Sequence, residues 1–472
     1  MEKFKLIQKE NKPSEIVLIY PFRPKNRNMH IGAAPPLGLL YLATYLNENN
    51  LNTTIIDLGG EDASDEEIIE EIIQNKIKLV GFPIFSFKLR IVHRFINKLK
   101  QSNYNGKIVL GAQHATALPI KTMQEFKAAD YLIRYEAEIS FKKLAEYIIN
   151  NNGNLQDIEN LYYRENEEIK TTFEAKDITK EIDSLPFPDR SLLDKYYKKG
   201  LYDRIYLKEE CDYMMCSRGC PFRCNFCFPS SPTFHLRSPE NIIKELKYLK
   251  SLGRKHIEIM DDTFTITRPH LEKTLNLIIQ EKLNFSFKIR SRVDLIDQPL
   301  LKLMKKAGVK VIVFGVESGS ERMLKEMNKL TTPEKNAEAI RLTKKEGISC
   351  FVDLFVGYPG ETKESLEETK NFLIKTKPTG MNMGVFVPLP CTVGYETAKK
   401  ENILVGEWSC NSKDPFAKLN WIENDKDLWK EVKRLKRKFY LNPLIFLTTV
   451  FFLLKNVKFR NLTRLFKIAK GL

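Results

Sequence analysis

No cysteine precedes Cys211 in this 472-residue chain, and five of its eight cysteines fall between Cys211 and Cys227. So sparse and clustered a supply excludes a disulfide scaffold. It reads as a metal site in a reducing cytoplasm, suited to anaerobic chemistry. Long apolar runs are also missing: Leu444 to Leu454 is apolar apart from Thr448 and Thr449, well short of the roughly 20 residues a spanning helix needs. No basic, apolar presequence opens the chain, so secretion is not expected. Low-complexity tracts and short repeats are absent. Acidic residues are scarce at the end, where Lys430 to Leu472 holds twelve Lys or Arg against Glu431 alone. Most of the net charge of +16 therefore sits in that tail, which suits an anionic partner such as lipid headgroups or nucleic acid. Phe459, Leu462, Leu465, Phe466 and Ile468 follow at near-helical spacing. They fit either an amphipathic helix lying in a membrane surface or a C-terminal helix packed on the protein with its basic face solvated.

What is present is alternation. Apolar runs at Ile16 to Tyr20, Thr53 to Asp57, Ile77 to Phe82, Ile108 to Leu110 and Tyr131 to Arg134 are separated by helix-length segments. Five such units predict an α/β fold with a doubly wound parallel sheet over residues 1–151, whose ligands bind beyond the strands' carboxyl ends. A weakly patterned stretch and Leu185-Pro-Phe-Pro-Asp-Arg190 predict a linker region over 152–205. Six further strand patterns start at Asp212, His256, Phe285, Lys310, Ile348 and Met381, with helices between them. They predict a partial (β/α)6 barrel over 206–402, with its chemistry at the strands' carboxyl ends. Residues 403–472 form a C-terminal extension with a basic, mostly helical tail.

The densest chemistry is Ser217-Arg-Gly-Cys220-Pro-Phe-Arg-Cys224-Asn-Phe-Cys227, at the end of the first barrel strand. Three thiolates can hold three irons of a 4Fe-4S cluster and leave one open, whereas a zinc site wants four protein ligands. The other reading is a zinc knuckle that recruits Cys211 or Cys216. Polar groups close the next four strands: Asp261-Asp262, Arg290-Ser-Arg292-Val-Asp294, Gly315-Val-Glu317-Ser318-Gly-Ser320 and Gly357-Tyr-Pro-Gly-Glu361. Singly, each could be a helix cap or a surface ion pair, the preferred reading for Asp294 and Glu361.

The cysteine spacing, with Phe226 before the last thiol, resembles the signature of the radical S-adenosylmethionine (SAM) enzymes. The strand ends resemble the members that carry an N-terminal cobalamin-binding domain. Pro35-Pro36-Leu-Gly38, Gly111-Ala-Gln-His114-Ala-Thr116 and Arg134-Tyr-Glu136 match that domain, and the likeness runs to about Asn402. The resemblance implies that Cys220, Cys224 and Cys227 carry the cluster, whose open iron chelates SAM for reductive cleavage to a 5'-deoxyadenosyl radical. It implies SAM contacts from Phe226, Asp262, Arg290 or Arg292, Glu317 and Ser318, and cobalamin contacts from Pro36, Gly38, Gly111, His114, Thr116 and Glu136. Ala112, Tyr135 and Cys391 stand where the family commonly has glycine, and Tyr135 is expected to crowd the corrin. His30, in Asn28-Met-His30-Ile-Gly-Ala33, lacks the aspartate and the final glycine of a cobalt-ligating loop, so no histidine ligand is expected.

The implied activity is methylation of an unactivated carbon, with cyclisation or coupling as family variants. The implied substrate is a small molecule or, from the basic apolar tail, a lipid or isoprenoid at a membrane. The implied reductant is a flavodoxin or ferredoxin, and the expected location is cytoplasmic, peripheral at the inner membrane face. A tRNA methylthiotransferase would need a second N-terminal cluster and an RNA-binding domain, and neither is visible, so nucleic acid is not an expected partner. The non-enzymatic alternative is a cobalamin or SAM sensor at a membrane.

Overall fold

The computed structural model describes residues 13–22, 34–175, 181–202, 211–229, 231–422 and 424–456, with 455 and 456 as backbone only. The His30 loop and the tail hydrophobics from Phe459 lie outside the described residues. The chain divides into two units: residues 1–202 with 230–233 and 408–414, and residues 203–229, 234–407 and 415–472.

In the first unit β1 (Ile16–Tyr20), β2 (Thr53–Asp57), β3 (Leu79–Pro83), β4 (Lys107–Gly111) and β5 (Tyr131–Ile133) pair in parallel in the order β2-β1-β3-β4-β5. Helices cover both faces of such a sheet, so its strands read as unbroken apolar runs; all five residues of β2 and of β3 are buried. The intervening helices carry one apolar stripe each, as in Leu89–Gln101, which buries Leu89, Val92, Phe95, Ile96 and Leu99. Chain order reverses between β1 and β3, and a ligand crevice opens at such a switch point.

The stretch expected to be a linker is instead part of this unit. β6 (Leu161–Glu165) and β7 (Glu168–Thr171) extend the sheet antiparallel beyond β5. Brevity masked β6, which buries just Leu161 and Tyr163, and polarity masked β7, an edge strand with little to bury. Further on, the Tyr202 hydroxyl donates to Asp57 Oδ2 at 2.9 Å, and the Tyr196 hydroxyl accepts from the Asp57 amide at 2.8 Å. Both tyrosines are buried, so residues 181–202 are packed rather than spanning a gap.

In the second unit β8 (Cys211–Met214), β11 (His256–Ile259), β12 (Ser286–Ser291), β13 (Val309–Glu317), β14 (Ser349–Val356) and β15 (Gly380–Val385) form an open, all-parallel sheet in sequence order, the predicted partial barrel. The ribbon of β9 (Ser217–Arg218) and β10 (His235–Leu236) flanks the cysteine loop. Alternation along β14 sends Cys350, Val352, Leu354 and Val356 into the helix-covered core, leaving Phe351, Asp353 and Phe355 for the lumen face. The basic helix Asp425–Tyr440 docks on this unit through Leu428, Val432, Leu435 and Phe439, which join its core. The packed-helix reading therefore holds for that part of the tail.

Candidate active site

The cysteine loop is held from one side by the segment after the helix Glu321–Glu326. The Asn225 amide donates to Met327 O (2.9 Å), Asn225 Nδ2 to Glu326 O (2.8 Å) and Asn328 Nδ2 to Arg223 O (2.7 Å). From the other side the Gly394 amide donates to Asn225 O at 2.7 Å. These bonds fix the loop's backbone while Cys220, Cys224 and Cys227 remain partly or fully exposed. Cys216 and Cys211 are buried, and Cys216 packs in the hydrophobic core with its amide on Asp261. That burial removes the candidate fourth ligands of a zinc knuckle. Among the described residues, no three His, Cys, Asp or Glu side chains converge on a single-ion site. Three thiols on one exposed loop, with Cys211 and Cys216 buried, fit a cluster that keeps one iron open.

Behind the loop lies a buried ion pair. Lys329 Nζ donates to Glu317 Oε1 at 2.8 Å, with both residues under 10% exposed. Burial disfavours the ammonium, but the charges of Glu317 and Cys224 and the hydrogen bond to Glu317 together outweigh it and hold Lys329 above its ordinary value. Glu317 has a left-handed backbone (φ 65°) where the β13–β14 register shifts between Gly315 and Glu317, and such a bulge re-aims a side chain. A Cβ on Gly315 would collide with the Glu317 carboxylate and stand 2.9 Å from Lys329 Nζ. The Lys329 ammonium also lies 5.6 Å from the Phe226 ring, which meets Phe355 edge-on at 5.0 Å.

The other expected SAM residues divide. Asp262 is exposed at the end of β11, whereas Asp261 is buried and accepts from the Cys216 amide and the Ser217 hydroxyl, both at 2.7 Å. Burial pushes the Asp261 carboxyl up to about 6 despite those bonds. Arg290 pairs with Asp353 at 2.8 Å and keeps 41% of its side chain exposed. Arg292 is buried and its guanidinium is committed to Asp294 and Lys329 O. Ser318 turns its hydroxyl toward Thr369 (3.1 Å) and accepts from the Ser320 amide, so it braces the loop. Asp294, expected to be a surface partner, orients Arg292. Lys329 was not legible beforehand, because nothing in Asn328-Lys-Leu330 marks a lysine that tertiary packing buries.

In the first unit, the expected cobalamin residues gather at the strands' carboxyl ends. Gly111 ends β4, and Thr116 ties the following turn to the end of β5 by accepting from the Tyr135 amide on Oγ1 (2.9 Å) and from Arg134 Nε on its carbonyl (3.1 Å). His114 is buried, hydrogen-bonded through Nδ1 to Ser86 Oγ at 2.9 Å, and held by desolvation at about 4, hence neutral. Trp408 meets it edge-on at 6.4 Å. Trp408, Cys410 and the bond from the Cys410 amide to Glu125 (2.8 Å) bring a distant strap into this unit, which no local pattern foretold. Pro36 is buried, Glu136 is half-buried, and Gly38 lies exposed in the first turn of helix Leu37–Glu48, where a Cβ would meet nothing within 4 Å. Small residues and open space at a switch-point edge fit a bulky planar cofactor.

All three departures from the family's glycines sit at left-handed backbone: Ala112 (φ 70°), Tyr135 (φ 62°) and Cys391 (φ 61°). The conformation glycine would allow is kept at a steric cost. Tyr135 offsets it by bonding Glu174 and Arg134 through its hydroxyl, both at 2.9 Å, which anchors its ring away from free rotation. Ala112 has no such compensation, so Ala112→Gly is expected to stabilise the first unit by about 1 kcal/mol, measured as an upward shift in its denaturation midpoint.

Comparison with known proteins gives the same division. Residues 214–373 match the family model "Radical SAM superfamily" and residues 32–145 match "B12 binding domain". An uncharacterized methyltransferase of Pyrococcus horikoshii is 31% identical over 454 residues, covering 93% of this chain and 95% of that one. An anaerobic magnesium-protoporphyrin IX monomethyl ester cyclase of Rubrivivax gelatinosus is 27% identical over 377 residues, covering 77% and 67%. In fold, the chain is similar to the radical S-adenosylmethionine methyltransferase TsrM of Kitasatospora setae, solved with cobalamin and a [4Fe-4S] cluster (TM-score 0.74, 15% identity, covering 91% and 90%).

Proposed function

The chain belongs to the radical SAM enzymes that carry an N-terminal cobalamin-binding domain, and on that premise we propose that it methylates an unactivated carbon of a lipid or isoprenoid. One observation carries the methyl transfer: a three-thiol loop braced at a barrel's strand ends shares a chain with a sheet domain that matches the B12-binding family model. In this reading Cys220, Cys224 and Cys227 hold the cluster. Glu317, Asp262, Phe226 and Arg290 border SAM, with Arg290 placed to exchange Asp353 for the SAM carboxylate. Gly38, Gly111, Thr116 and Glu136 line the cobalamin face, and neutral, Ser86-bound His114 supports its turn. The cluster supplies the electron for SAM cleavage and the corrin carries the methyl group. The protein's residues bind, orient and exclude water.

The lipid assignment rests on the helix Pro443–Asn456. Ile445 and Phe452 face inward, the latter against Val311 and Val313. Leu444, Phe446, Leu447, Phe451 and Leu454 are all more than half exposed, as is neighbouring Leu441. Exposed Lys430, Lys433, Arg437 and Lys438 on the preceding helix complement an anionic bilayer. No single helix among the described residues is long and apolar enough to cross a membrane, and the two tail helices are bent by 85°. The Leu447→Glu, Phe451→Glu double variant is expected to bind anionic phospholipid vesicles at least about tenfold more weakly, since each side chain forfeits on the order of 1.5 kcal/mol of burial. Wild-type binding by this variant would remove the membrane reading.

The deciding experiment is anaerobic purification with hydroxocobalamin, analysis of corrin, iron and sulfide, and turnover with methyl-labelled SAM and a membrane lipid extract. Label in a lipid product supports the proposal. A lipid product that closes a ring without taking label would replace methylation by cyclisation. SAM cleavage with no change in any lipid would overturn the substrate class.

A further inference from the structure

The guanidinium of Arg292, expected at the SAM carboxylate, is fixed on every side. Nε and Nη2 donate to the two oxygens of Asp294 at 2.9 and 3.1 Å, and Nη2 also donates to Lys329 O at 2.6 Å. Its flat face lies 4.0 Å from the ring centroid of Phe222, inside the cysteine loop. What remains is the Nη1 edge, and it points at Cys224 Sγ from 3.8 Å. A bidentate carboxylate, a carbonyl and an aromatic face together leave the group no alternative orientation, and Arg292 is only 4% exposed. Such preorganisation exceeds what loop anchoring needs, because the backbone bonds from Met327, Glu326 and Asn328 already anchor it.

We propose that Arg292 is a positioning residue for the iron–sulfur cluster, donating an N–H to the Cys224 thiolate and raising the cluster's reduction potential, with Asp294 and Phe222 as the groups that aim it. The physical reason is charge. Taking up one electron makes the cluster one unit more negative, and a buried donor cation aimed at a ligating sulfur stabilises that state more than the oxidised one. Asp294 offsets part of the charge but leaves the hydrogen bond intact. Lys329, paired with Glu317 at 2.8 Å, adds its own charge beside the same thiol.

The inference rests on the three cysteines carrying the cluster, and iron and sulfide analysis of each sample separates that premise from the inference. The test is an anaerobic, EPR-monitored potentiometric titration of the full, reconstituted chain, with sodium dithionite as electron source. Arg292→Gln is expected to load a normal complement of iron and sulfide but to be harder to reduce. The reduction equilibrium constant should fall about tenfold, equivalent to roughly 59 mV for one electron. Phe222→Leu, which keeps every charge but removes the aromatic face that aims the guanidinium, should shift the midpoint in the same direction by less. An unchanged midpoint in loaded Arg292→Gln overturns the proposal. If that variant does not load, an unchanged midpoint in Phe222→Leu overturns it. A wild-type chain without iron would sink the cluster assignment itself.

Discussion

Cys227→Ser is expected to lose most of its iron on anaerobic reconstitution and to cleave SAM at least about a thousandfold more slowly, on the order of 4 kcal/mol in the barrier. Cys227 is the most exposed of the three thiols and closes the loop, with its amide donating to Cys224 O at 3.1 Å. A serine hydroxyl there keeps the turn but stays neutral at neutral pH, so one of the three thiolates is lost. Buried Cys216 cannot substitute without leaving the core. The measurement is iron, sulfide and 5'-deoxyadenosine per chain, with far-UV circular dichroism as the fold control. Normal iron with normal cleavage in this variant would mean that the third ligand lies elsewhere.

The second large effect is expected from Lys329→Met. It leaves Glu317 buried without its cation, which costs about 3–5 kcal/mol and should appear as a lower denaturation midpoint for the barrel unit. Glu317→Gln combined with Lys329→Met removes both charges and should recover a substantial part, since a neutral pair carries no desolvated charge. The same pair sets a pH dependence. Lys329 titrates above its unfolded value, so its stabilisation is complete below the ordinary lysine pKa and is lost as pH rises through the folded value. The difference between wild type and the double variant should therefore shrink in strongly alkaline buffer. Equal midpoints for Lys329→Met and a surface lysine substitution would show that the pair is not coupled to folding.

Both predictions concern residues with very different legibility. Cys220, Cys224 and Cys227 lie within eight residues of one another, so their joint role is local and visible in a string of letters. Lys329 and Glu317 are twelve residues apart across a bulge and a helix, and nothing local says that the lysine is buried. Arg292 was visible as a strand-end arginine, but its direction depends on Phe222 and Cys224, seventy residues earlier. Ser318 shows the same limit: its position at the strand end was legible, whereas its bond to Thr369 required the helix Lys363–Thr376 to be in place.

The failures of the sequence reading have a common cause. β7 is a polar edge strand held by backbone pairing with β6, and β6, between β5 and β7, buries just Leu161 and Tyr163, so the pair carries too short an apolar period to read. Tyr196 and Tyr202 look like ordinary residues of a proline-bearing stretch until Asp57 is placed beside them. Trp408 and Cys410 follow the barrel in sequence yet pack in the first unit.

The sequence by itself determined the two α/β units, the placement of their parallel strands along the chain and the three-thiol loop, because hydrophobic period and short-range spacing are properties of neighbouring residues. Its three non-glycine substitutions also marked backbone that proves left-handed in every case. Only the tertiary structure decided which charges meet. The Glu317–Lys329 pair, the aim of Arg292 at Cys224, the Ser86–His114–Trp408 contact and the exposed face of the final helix all depend on strand register and helix docking, which bring together groups that the chain itself keeps far apart.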